Sequence, residues 1–163
     1  MMFRRDAAAP PPVTPTALLW CMRQFVRELK HGIAAQGEVQ ALLDRLGAPG
    51  AAVPLRQFML ALSAGCARMI DVRCICQAAL SDDERALLDV LGLAQALRPF
   101  EAMLVLRGFV TPEGAAAALP HAEAIGHALA EAGRFLPTPD EELRQFAFAT
   151  ACGTGHTPAA FLH

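Results

Sequence analysis

The chain has 163 residues, of which 54% are apolar and 18% charged, with a formal net charge of −2. That length suits one domain with a core of useful size. The near-neutral balance argues against a nucleic-acid-binding surface, and there is no apolar run of the roughly eighteen residues that a membrane span needs.

Residues 1–13 read as a tail. Met1–Asp6 has the positive charge of a leader, but Ala7–Pro12 is alanine and proline instead of an apolar stretch. Pro10-Pro11-Pro12 forbids helix and favours polyproline II. With no secretory pattern, the five cysteines are expected to be reduced thiols in the cytoplasm.

Helix punctuation then becomes clear. Thr14-Pro15, Thr111-Pro112 and Thr138-Pro139 each pair a capping hydroxyl with a proline at the first helical position. Ser81-Asp82-Asp83-Glu84 and Thr138-Pro139-Asp140-Glu141 have the form of capping boxes. The first helix is predicted from Pro15 to His31, with Leu18, Met22, Phe25 and Leu29 on one face and Gly32 as its stop. A second short helix spans Glu38–Leu46 and closes at Gly47. The third starts at Pro54 and carries Leu55, Phe58, Leu62, Cys66 and Met69. The fourth is Ser81–Arg98 and the fifth runs from Pro99 or Phe100 to Arg107, where Met103–Leu106 could also read as a strand. A turn at Pro112–Leu119 leads through Pro120 into a sixth helix that ends at Gly133. A last helix is expected over Pro139–Ala151, and residues 153–163 form a second tail.

In the fourth helix only Arg85, Asp89, Gly92 and Gln95 make a polar strip; Leu87, Leu88, Val90, Leu91, Leu93 and Leu97 cover most of the rest. A helix apolar around most of its circumference belongs at the centre. The expected fold is therefore all-α: one domain over 14–152, an irregular bundle of six to seven helices around Ser81–Arg98. Alanine fills 33 positions, and the basic residues are thirteen Arg and one Lys, a bias that points to a GC-rich bacterial genome.

The segment Ile70–Cys76, I-D-V-R-C-I-C, is the most informative part of the chain. Cys74 and Cys76, with Cys66 upstream, could supply three ligands of a thiolate metal site for zinc or an iron–sulfur cluster. The spacing C-x7-C-x-C is not a zinc signature, however, so no cofactor is expected. The alternation of Ile70, Val72, Cys74 and Cys76 with Asp71, Arg73 and Gln77 predicts an extended connector with buried cysteines, and Arg73 pointing away from Cys74. The third chemistry for these thiols is redox.

Arg23, Arg27 and Lys30 line one side of the first helix and form a candidate interaction face. The acids at Asp82–Glu84 and Asp140–Glu142 are its candidate partners. The halves of the chain are charge-polarised: residues 1–80 carry nine Arg/Lys against five Asp/Glu, and residues 81–163 carry five against eleven. Glu123, His127 and Glu131 share one helix face, opposite the apolar one, and read as a solvated stripe. Only Ser63 and Ser81 are serines, and no nucleophile elbow, P-loop or dinucleotide fingerprint is present. Without a catalytic constellation, the expected function is a non-enzymatic helical module binding a protein partner or itself. The alternatives are a metal or redox thiol protein centred on Cys66, Cys74 and Cys76, and a regulator with a small-ligand pocket between helices.

Overall fold

A computed structural model of the chain describes residues 14–141. The predicted tails, Arg4, Arg5, Cys152 and all but the first turn of the predicted last helix lie outside these residues. The described part is all-α, with six α-helices in chain order: α1 (Thr14–His31), α2 (Gln36–Arg45), α3 (Ala52–Ala64), α4 (Asp82–Gln95), α5 (Pro99–Leu106) and α6 (Pro112–Glu131). A 3-10 turn at Pro49–Ala51 leads into α3. The Met103–Leu106 stretch is helical, and no strand is present among the described residues. No described helix is long and apolar enough to cross a membrane.

The Ser81 and Thr111 signals and the glycine stops act where they stand, whereas Thr14 is itself the first residue of α1. Ser81 caps α4 in a complete capping box with Glu84. Thr111 caps α6 by accepting a hydrogen bond from the Gly114 N–H, with Pro112 in the first turn. Gly32 and Gly47 close α1 and α2 at φ +67° and +77°, a left-handed conformation that glycine adopts without steric penalty.

The core is one contiguous cluster. α1 contributes Leu18, Cys21, Met22 and Phe25, and α3 contributes Leu55, Phe58, Met59 and Leu62. α4 adds Leu87, Val90, Leu91 and Leu93, while α6 adds Ala115, Ala118, Ala122, Ile125 and Leu129. α4 packs on α1, α5 and α6, whereas α6 packs on α3, α4, α5 and the 3-10 turn. The alanine-rich face of α6 thus shares the centre with α4. Small side chains let the neighbouring backbones come close: a Cβ at Gly126 would lie 2.8 Å from Gln95 Cα.

Several boundaries differ from the sequence expectation. The fourth helix ends at Gln95 instead of Arg98, which leaves Leu97 outside it, exposed and at φ +59°. Residues 112–119 are not a separate turn; α6 runs through Pro120. Pro120 is exposed, and the lost backbone bond is tolerated because Ala118, Ala122 and Ile125 around it are buried. The third helix does not reach Cys66 and Met69. At its end the Gly65 C=O accepts from the Thr111 N–H, and the Ala67 N–H donates to the Phe109 C=O, both at 2.9 Å. Cys66 pairs with Val110 in an isolated antiparallel bridge. The backbone there finds partners across the fold instead of along a helix.

Candidate functional site

Between α3 and α4 the chain runs from Gly65 to Ser81 without regular secondary structure. A connection of this length inside a compact domain is uncommon, and when ordered it is usually functional. This one is ordered by the acidic first turn of α4. The Asp71 N–H donates to Asp83 Oδ2 at 2.8 Å and the Arg73 N–H to Glu84 Oε1 at 3.0 Å. Arg68 makes a bidentate pair with Asp83 at 2.9 and 2.7 Å and donates to the Gly108 C=O. Its guanidinium lies 5.3 Å from the Phe109 ring centroid.

Arg23 holds the other end of the loop. It was expected on a solvated interaction face with Arg27 and Lys30, but it is 5% exposed. Its Nε and Nη2 reach Glu84 Oε1 and Oε2 at 2.7 and 2.8 Å. Nη1 donates to the Gln77 C=O, and Nη2 also to the Ala79 C=O. Glu84 is fully buried, and its carboxylate accepts four hydrogen bonds: two from Arg23, one from Arg73 N–H and one from Ser81 N–H at 2.9 Å. Burial alone would raise its pKa, but these donors outweigh it and hold the carboxyl below the ordinary value. The Arg23 guanidinium is correspondingly pushed up by its hydrogen bond to Glu84. One buried ion pair therefore fixes α1, the start of α4 and the loop backbone against each other.

The three cysteines expected to be buried are exposed, Cys66 at the start of the loop and Cys74 and Cys76 at its tip. The alternation from Ile70 to Cys76 breaks at a turn in which the Gln77 N–H donates to the Cys74 C=O at 3.1 Å. Ile70 and Val72 stay half-buried against the core, while everything from Cys74 to Ala79 is exposed. The turn folds Cys74 back toward Cys76. The Cys76 thiol is directed at Cys74 Sγ, with the two sulfurs in contact, and the Cys76 N–H also points at Cys74 Sγ at 3.4 Å. These contacts, led by the Cys76 thiol and assisted by the charges of Arg23 and Arg27, lower the Cys74 pKa; the same hydrogen bond raises that of Cys76. Cys66 stays apart: among the described residues no group of three or more His, Cys, Asp or Glu is arranged to hold a metal.

The structure joins two sequence-predicted groups that the sequence left separate. Arg27, Lys30, His31 and Arg73 line one cleft with Cys74 and Ile75, of about 130 Å³. Arg73, expected to point away, lines this cleft and also an acidic one of about 280 Å³ with Asp71, Asp82 and Asp83; its Nη1 donates to the Ala79 C=O at 3.3 Å and its Nε lies 3.9 Å from Asp71 Oδ2. None of the residues lining the cleft is acidic. The expected partners of the basic stripe divide: Glu84 takes Arg23, whereas Asp140 takes Arg98 at 2.8 Å. Arg27 donates only within its own helix, to Gln24 at 3.2 Å, among the bonds the structure shows.

Two cavities of about 240 and 230 Å³ flank α1 and α3, the first mostly apolar and the second mixed, with Glu28, Gln36, Gln40 and Arg56 in its lining. The first is lined by Phe25, Val26, Leu29, Met59, Leu62 and Met69 among others. Both fall below the size of ordinary small-molecule pockets, about 300–1,000 Å³. His127 and Glu131 pair at 3.3 Å on a fully wet helix face, in line with a solvated stripe. The sequence offered Asp82–Glu84 as partners of the basic stripe and Glu84 as a capping residue, but it did not disclose that Glu84 and Arg23 are buried together. No protein-family model matches this chain, and no curated protein or solved structure does either.

Proposed function

We propose that the protein is a thiol–disulfide module whose working group is the Cys74–Cys76 pair. One observation carries this reading: two exposed thiols stand in contact on a turn that the rest of the fold takes trouble to hold. Exposure gives access, and the sulfur contact puts each thiol within reach of the other. A lowered thiol pKa at Cys74 supplies the nucleophile. Buried Cys21, by contrast, is pushed up to about 12 by desolvation and is chemically quiet. The test is equilibration with mixtures of reduced and oxidised dithiothreitol, followed by alkylation and peptide mapping. Cys74 and Cys76 should lose reactivity together, as one two-electron couple, with each bonded to the other. If both stay alkylatable in excess oxidant, or if Cys74 pairs elsewhere, the reading is wrong.

A second reading is self-association through α5. Phe100 and Leu104 are 73% and 53% exposed one turn apart on the same helix, next to Leu97 at 87%. A contiguous apolar face of this kind commonly meets another copy of the chain. Light scattering should then show a dimer that Phe100→Glu converts to monomer. A monomer at high concentration removes this reading and leaves the thiol chemistry untouched.

A further inference from the structure

We infer that the cleft beside Cys74 selects small disulfides that carry negative charge. The inference rests on the thiol–disulfide reading and adds its substrate class. Three features place it. First, only one of the two sulfurs belongs to the cleft: Cys74 lines it, whereas Cys76 does not. An incoming disulfide seated there meets Cys74 first, and Cys76 stands behind as the resolving thiol. Second, the cations in the cleft are not all committed. Arg23 is neutralised by Glu84, but Lys30 is exposed and Arg27 is half-buried, its side chain donating to Gln24; Arg73 is more committed, donating to the Ala79 C=O at 3.3 Å and pairing with Asp71 at 3.9 Å. Third, no acidic residue lines the cleft itself, so the charges of Arg27 and Lys30 act there in one direction. A cleft of about 130 Å³ admits the end of a small molecule and not a folded protein surface.

The chemistry balances within the two partners. The Cys74 thiolate attacks one sulfur of the substrate disulfide; a Cys74–substrate disulfide forms and one substrate thiolate leaves. Cys76 loses its proton to solvent and attacks Cys74 Sγ. The Cys74–Cys76 bond forms and the second substrate thiolate leaves. The protein dithiol is oxidised by two electrons and the substrate disulfide is reduced by two. The leaving thiolates take up protons from solvent. Arg27, Lys30 and Arg73 touch neither sulfur; they hold the anionic end of the substrate against the cleft.

The experiment measures closure of the reduced pair by three disulfides: oxidised glutathione, which is anionic; hydroxyethyl disulfide, which is neutral; and cystamine, which is cationic. Each rate is divided by that of free dithiothreitol with the same disulfide, which removes intrinsic reactivity. At low ionic strength the normalised rate with oxidised glutathione should exceed that with cystamine by about tenfold or more. The ratio should collapse toward unity in about 1 M salt, where the screening length is about 3 Å. Lys30→Glu should lower the ratio severalfold, whereas Arg45→Glu, an equal charge change outside the cleft, should leave it unchanged. Because the salt series uses the unaltered protein, misfolding of a variant cannot hide the answer. If the pair closes with all three disulfides in the ratios of free dithiothreitol, the charge selection is wrong and the thiol–disulfide reading survives. If the pair closes with none, that reading falls and takes the selection with it.

Discussion

Replacing Glu84 by Gln tests the argument that one buried pair organises the site. The substitution keeps the shape and removes the charge. Four donors converge on the carboxylate: Arg23 Nε, Arg23 Nη2, the Arg73 N–H and the Ser81 N–H. Two of them address each oxygen. Gln retains one oxygen, so two donors must face an NH2 group that can accept nothing. Arg23 is left buried without its counter-charge. Removing one member of a buried pair commonly costs about 3–5 kcal/mol, out of a total stability on the order of 5–15 kcal/mol. At this chain length that corresponds to a fall in Tm of about 6–20 °C.

Urea denaturation followed by far-UV circular dichroism measures the loss, and amide hydrogen exchange at Arg73 and Ser81 localises it. The pH dependence gives a further check. Glu84 has a depressed folded pKa, so its contribution is fully present above the ordinary carboxylate value of about 4.3 and is lost as pH falls through the lower folded value. The gap between wild type and Glu84→Gln should therefore close in acid. Joint replacement of Arg23 and Glu84 by Met should also destabilise, unlike many simple buried pairs. Here the pair also satisfies the carbonyls of Gln77 and Ala79 and two loop N–H groups, which Met cannot do. A loss below about 1 kcal/mol in Glu84→Gln, the scale of an exposed pair, would refute the reasoning.

Three further outcomes are expected. Pro120→Ala should stabilise by about 1–3 kcal/mol in thermal or urea unfolding, because an exposed interior proline gives way to the best helix former. Gly126→Ala should destabilise by about 1–3 kcal/mol, since its Cβ would fall 2.8 Å from Gln95 Cα and force α4 and α6 apart; unchanged stability would mean that this contact is looser. Cys76→Ala should move the alkylation pH profile of Cys74 upward, toward the ordinary thiol value of about 8.5, and slow its modification at neutral pH. An unmoved profile would show that Cys76 does not set the reactivity of Cys74.

The helices were legible because their signals are local. A capping box, a Thr-Pro start or a glycine stop acts through hydrogen bonds within a few residues, and Ser81–Glu84, Thr111–Gly114 and Gly32 behave as read. The errors share the opposite cause. Residues 65–67 leave the helix because residues 109–111, some forty positions on, offer backbone partners. Arg23 leaves the solvated stripe because Glu84, 61 positions away, is brought to it. Neither encounter has a signature in a local window.

The cysteine segment shows why the site itself was half visible. Alternation correctly placed Ile70 and Val72 toward the core, but the same period carried forward buried Cys74 and Cys76, which the turn ending at Gln77 turns outward. Once that turn is known, the basic stripe and the thiols cease to be independent features. Arg23, at the inner end of the stripe, ties down the carbonyls of Gln77 and Ala79, and so sets where Cys74 emerges. Arg27 and Lys30, one and two turns further along α1, then fall on the rim of the same cleft. The residue taken from the surface is what brings the remaining cations to the sulfur. The buried ion pair is thus a positioning device: loosening it should disperse the charge around Cys74 even where the fold survives.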